Sequence, residues 1–212
     1  MKKTITLFHV PIYAMIFVAC TGSPLDATPN VAQASPIKES SPTPGSLFFN
    51  NSTETPISED VKVLHLELAD KDWNGERIPD GQQCLREGGI NPSTPSILVA
   101  NIPAGTVALI LEFSDRDFYP MNNGGHGKVG FVIEEGASEV LIPSILGNTF
   151  DLSEDFFIVQ EHLTSIGEPG AYMPPCSGGG NHEYYVTVKA VDKIESENFG
   201  LLGYGILELG IY

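Results

Sequence analysis

Basic residues are scarce in this 212-residue chain: 11 Lys and Arg stand against 27 Asp and Glu, for a formal net charge of −16. That deficit excludes a nucleic-acid binder, because phosphate backbones are met by a basic footprint. It also argues against docking of the folded part onto an anionic lipid surface. Cysteine is rare too, with only Cys20, Cys84 and Cys176. No Cys-x-x-Cys or His-x-x-His spacing occurs, so the usual short-range signature of a zinc site is missing. The Gly-x-Ser-x-Gly elbow of many hydrolases is absent, since Gly136-Ala-Ser-Glu lacks the closing glycine. Asp70-Lys-Asp72-Trp-Asn74-Gly75 begins like a calcium loop, but its twelfth position is Gly81 and no helical pattern flanks it. No long window repeats its apolar residues with a 3.6 period, and the one N-terminal apolar run is broken by His9 and Pro11. That run falls short of the ~20 residues that cross a bilayer as a helix.

What is present begins with an export signal. Lys2-Lys3 and the apolar stretch to Ala19 read as the n- and h-regions of a secretory leader over residues 1–19. Phe17-Val-Ala-Cys20 resembles a bacterial lipoprotein cleavage box, which makes Cys20 a lipidated N-terminus anchored in the cell envelope; ordinary secretion is the second reading. Residues 20–58 are then a Ser/Thr/Pro-rich tether with too little apolar content to fold. Residues 59–212 remain for one domain with one core. In an exported domain Cys84 and Cys176 can bridge, but their separation in space is not written in the sequence, and paired and free thiols both stay open.

The domain reads as mainly β. Leu64, Leu66 and Leu68 share one face of a half-buried strand, and Tyr184, Val186, Val188 and Ala190 alternate against Tyr185, Thr187 and Lys189. Val107 to Phe113 is more continuously apolar, interrupted only by Glu112, and suits a central strand buried on both faces. Lys128–Ile133 and Asp155–Gln160 add further strands. The simplest architecture is a sandwich of antiparallel strands with few short helices.

Two segments carry chemistry. Tyr172-Met-Pro-Pro-Cys-Ser-Gly-Gly-Gly-Asn-His182-Glu-Tyr184 places three consecutive glycines just before a histidine and a strand. Such glycines allow φ > 0, and successive loop amides can form an anion-binding concavity. Asp115-Arg-Asp117-Phe-Tyr-Pro120 closes the central strand, and Gly124-Gly-His126-Gly127 opens the next. In this order the segments resemble the phosphatidylethanolamine-binding protein family, which includes Raf kinase inhibitor-like proteins. Asn74-Gly-x-x-Ile78-Pro79, Ile102-Pro-Ala-Gly-Thr106 and the closing Leu209-Gly-Ile-Tyr212 are similar to family pieces as well, so the resemblance covers roughly residues 60–212.

The resemblance implies a Greek-key β sandwich with a small anion-accepting pocket formed by Asp115, His126, Pro175, His182 and Tyr184, with Asp117 in support. Several positions depart from the family pattern. Arg116 stands in place of proline, Gly127 in place of a tryptophan wall, and Glu183 in place of arginine after the second histidine; Ser177 and Gly178 loosen the Pro-rich loop. The expected function is a non-enzymatic, membrane-tethered binding module for a phosphate-like or carboxylate ligand, needing no cofactor and no metal. An alternative is an extracytoplasmic inhibitor that contacts a protein partner through the apolar loop Phe118-Tyr-Pro-Met121. A hydrolase using Ser177, His182 and Asp115 is a minor one, because a serine in a flexible glycine run lacks rigid support.

Overall fold

The computed structural model describes residues 61–163, 167–194 and 199–212. The leader, Cys20 and the tether lie outside the described residues. Nine strands account for nearly all regular structure: β1 Lys62–Val63, β2 His65–Leu68, β3 Ile97–Ala100, β4 Ala108–Asp115, β5 Lys128–Val132, β6 Glu139–Ile142, β7 Phe156–Gln160, β8 Glu183–Val191 and β9 Leu201–Ile211. Single 3-10 turns at Leu85–Glu87 and Tyr119–Met121 are the only helical pieces among the described residues.

The strands form two sheets, one of six in the order β1-β9-β8-β4-β5-β7 and one of three in the order β2-β3-β6. Pairing is antiparallel throughout except between β1 and β9. The first strand pattern divides between the sheets. Lys62 and Val63 pair with β9, Leu64 is buried at the crossing, and His65–Leu68 pair with β3. The alternation of leucines there is real, but it spans a change of sheet. β3 and β6, four residues each, lack a pattern long enough to stand out in the sequence.

The core lies between the sheets. It takes Leu109, Leu111 and Phe113 from β4, Val186, Val188 and Ala190 from β8, and Ile97, Val99 and Ile142 from the smaller sheet. β4 is the central strand, with Ala108 and Ile110 buried on its other face as well. Because β4 runs antiparallel to both neighbours, its C-terminal end lies beside the starts of β5 and β8: Glu112 pairs with Lys128 and Asp115 with Tyr184. Three loops therefore meet at this end of the sandwich, and the candidate site is built there.

Candidate functional site

Asp115 is the pivot. It is only 3% exposed, and one carboxylate oxygen accepts the backbone N–H groups of Asp117 (2.9 Å) and Phe118 (3.1 Å), which turns the chain as β4 ends. The other oxygen accepts Nδ1–H of His182 at 2.7 Å, across 67 residues of sequence. That bond fixes the ring so that His182 presents Nε2. Asp117 acts elsewhere: its carboxylate accepts the Glu183 N–H at 2.8 Å and anchors the start of β8.

His126 is as buried as Asp115. Its Nδ1 lies 2.7 Å from the Met173 carbonyl oxygen, which can only accept, so Nδ1 carries the proton. Burial lowers its pKa to about 4, outweighing the Met173 carbonyl and Asp115, which act in the opposite direction. At neutral pH the ring is uncharged and Nε2 is an acceptor. The imidazole meets the Tyr184 ring edge-on, with centroids 5.3 Å apart. The Tyr184 hydroxyl accepts the Cys176 N–H at 3.3 Å. Burial, then Asp115, raises its pKa, so the phenol keeps its proton and can donate.

Asp115, His126, His182 and Tyr184 line one cavity of about 50 Å³, together with Phe118, Met121, Leu163, Met173, Cys176 and Ser177. At ~10–15 Å³ per water, this is space for a few waters or one small group. Asp117 and Pro175 do not line it; Pro175 is structural, its carbonyl accepting the Cys84 N–H at 2.8 Å. The apolar lining from Phe118, Met121, Leu163 and Met173 was not legible as a set. Each residue sits in a loop without strand periodicity, and only their isolation as apolar residues among turn formers marked them. Met121 corrects the expectation of an exposed contact loop: it is buried in the cavity wall, while Tyr119 is 88% exposed. The loop and the pocket are thus one site.

The glycine loop differs from its expected use. Gly178 and Gly179 do take φ of 70° and 74°, but two of the three glycine amides are already spent on partners within the fold. The Gly178 N–H donates to both oxygens of the Glu87 carboxylate at 2.9 Å, and the Gly180 N–H donates to the Ser177 hydroxyl. Ser177 in turn donates to the Tyr212 carbonyl at 2.7 Å. The same corner is tied by a disulfide between Cys84 and Cys176, with Cα atoms 5.3 Å apart.

The departures from the family pattern also find their places. Arg116 pairs with Glu183 and Glu208, each at 2.7 Å, and lies 4.6 Å over the Tyr185 ring. Glu183 is therefore matched by a local cation and does not line the cavity. Gly127 has φ of 116°, and a Cβ there would fall 2.0 Å from the Ala171 carbonyl oxygen. This backbone excludes tryptophan, or any side chain, at that position. Among the described residues, the one cluster compact enough to suggest a metal is Cys84, Glu87 and Cys176, whose sulfurs are committed to the disulfide.

No family model matches the chain, and no curated protein matches it. Among solved structures, it is similar to a putative phosphatidylethanolamine-binding protein homologue from Chlamydia trachomatis, at 21% identity and a TM-score of 0.45, over 71% of this chain and 97% of the other. It is also similar to Escherichia coli YbcL, described as a new member of the mammalian phosphatidylethanolamine-binding protein family. There the identity is 16% and the TM-score 0.48, over 70% of this chain and 97% of the other.

Proposed function

We propose that the chain is a non-enzymatic binding module whose cavity takes one small oxyanion, a phosphate or carboxylate head. The observation that carries this reading is the Asp115–His182 pair at 2.7 Å, set in a cavity too small for more than a head group. The pair is neutral overall when His182 is protonated, so recognition rests on directed donors rather than on net charge. The Tyr184 hydroxyl is one such donor, and His182 Nε2 is a second only in the doubly protonated ring, because Nδ1–H is committed to Asp115. His126 Nε2 is an acceptor, which suits an oxyanion that still carries one proton, such as hydrogen phosphate or a phosphomonoester. The Gly178 and Gly180 amides are already bonded to Glu87 and Ser177, so binding is expected to be weaker than an open amide nest would give.

The test is thermal melting of the full chain during titration with phosphate and phosphorylethanolamine, in wild type and His182→Ala. Ligand at a hundredfold excess over Kd stabilises by roughly 2.7 kcal/mol, so a saturable rise of several degrees is expected in wild type and not in the variant. Absence of a shift in wild type, or an equal shift in both, overturns the reading. The protein-partner alternative would then lead, with the exposed Tyr119 as its contact.

The same proposal includes anchoring through Cys20 ahead of a polar spacer. Labelling of cells with radioactive palmitate should mark the wild-type chain and not Cys20→Ser; an unlabelled wild type makes the module a secreted one.

A further inference from the structure

The sequence holds two Asn-Gly pairs, Asn74-Gly75 and Asn123-Gly124. This dipeptide readily loses its side-chain amide, because glycine has no Cβ to shield its nitrogen from the neighbouring Asn Cγ. The fold treats the two pairs in opposite ways. Gly124 is buried, and its N–H donates to the buried Ser114 hydroxyl at 2.8 Å. Ionising that nitrogen would break the bond and leave a charge out of water, so Asn123 is protected although it is itself exposed. At the other pair, Gly75 borders an open groove, and its N–H has no partner among the described residues. Asn74 is exposed, and its Oδ1 accepts the backbone N–H groups of Glu76 at 2.9 Å and Arg77 at 3.2 Å. Such a turn brings the side-chain carbonyl back over the next amide, here that of Gly75. The buried Trp73 fixes the residue before it.

We propose that the fold directs deamidation to Asn74 and makes it a site of spontaneous covalent modification. Hydroxide removes the Gly75 amide proton, and the nitrogen's electron pair forms a bond to Asn74 Cγ. Negative charge develops on Oδ1, which the Glu76 and Arg77 N–H groups already bond, an arrangement that stabilises an oxyanion. The Cγ–Nδ2 bond then breaks, and the side-chain nitrogen takes a proton from water and leaves as ammonia. Water opens the cyclic imide at either carbonyl, giving aspartate or isoaspartate. Both products add a negative charge to a groove already lined by Glu67, Glu76 and Glu208. Isoaspartate also reroutes the main chain through the former side chain, lengthening it by a methylene ahead of Gly75 and Glu76. The Glu76 carbonyl accepts the Ile211 N–H at 3.0 Å, and the Ile78 N–H donates to the Ile211 carbonyl at 3.1 Å. Tyr212, the next residue, exchanges two backbone hydrogen bonds with His182. The modification therefore reaches the backbone that supports His182, whatever the cavity binds.

The experiment is peptide mapping of the full chain after incubation in mildly alkaline buffer, native and in urea, with an isoaspartyl methyltransferase to label isoaspartate. In urea the two pairs should convert at comparable rates. In the native protein Asn74 should keep converting at a comparable rate, while Asn123 falls about tenfold or more below its rate in urea. Asn74→Ser keeps an acceptor for the Glu76 N–H and has no amide to lose, so it should remove the native label. Ser114→Ala should release Asn123. Incubated wild type should denature at lower urea than fresh protein, and incubated Asn74→Ser should not. Equal native rates at the two pairs, Asn123 reacting ahead of Asn74, or an Asn74 that reacts only in urea each overturns the proposal. An unreactive Asn123 in Ser114→Ala overturns the protection assigned to Ser114, and an unchanged urea midpoint overturns the link to the His182 backbone.

Discussion

Reduction of the Cys84–Cys176 disulfide is expected to lower the stability of the domain by about 4 to 5 kcal/mol, the chain-entropy value for a cross-link of this span. The two cysteines are 92 residues apart in sequence, so the bridge removes a large set of open conformations from the unfolded chain. In the folded state the bridge is not alone at this corner. The Cys84 N–H still bonds the Pro175 carbonyl and Glu87 still bonds Gly178, so the native geometry should survive reduction. The loss therefore arises mainly in the unfolded ensemble. Against a typical total of roughly 5–15 kcal/mol it is a large share. Urea denaturation with and without reductant, and of Cys84→Ser/Cys176→Ser, measures it. Equal midpoints, or two reactive thiols in the untreated native protein, would rule the bridge out.

Acidification should cost nearly as much, through one residue. His126 is held neutral in the fold down to about pH 4, chiefly by burial, while in the unfolded chain it titrates near 6.5. Between these values the unfolded state holds a proton that the folded state does not, so stability falls as pH falls. The loss begins near pH 6.5, reaches about 3 kcal/mol at pH 4 and then levels off for this group. Above pH 6.5 both states are neutral here, and His126 contributes no pH dependence. Denaturation curves at pH 7.5 and 4 would show the drop in wild type, and His126→Gln, which does not titrate, should lose about 3 kcal/mol less across the same interval. A variant with the wild-type slope would mean the imidazole is protonated inside the fold.

Both effects depend on what surrounds a side chain, and that marks the division between sequence and structure in this protein. Whatever is fixed by neighbours along the chain was readable. The alternation of Tyr184, Val186, Val188 and Ala190 against Tyr185, Thr187 and Lys189 reports the faces of β8 because strand geometry repeats every two residues. The nearly continuous apolar run from Val107 to Phe113, interrupted only by Glu112, marks the central strand because both of its faces are covered. The ordered sequence motifs brought Asp115, His126, His182 and Tyr184 to notice, and antiparallel pairing at the end of β4 is what gathers them.

Whatever depends on which loops meet was not readable. The sequence resemblance places Asp115 in the pocket with Asp117 in support, but what each binds was not readable: one holds His182 over the cavity and the other holds the backbone of Glu183. Gly178 looks like an anion receptor, and it is one, but its anion is Glu87, 91 residues away. Gly127 looks like the loss of an aromatic wall, whereas the approach of the Ala171 carbonyl leaves no room for a side chain. Alternation and turn chemistry are local and leave a pattern in the chain. The partner of a buried carboxylate, amide or thiol is set by tertiary packing across tens of residues, and no local pattern encodes it.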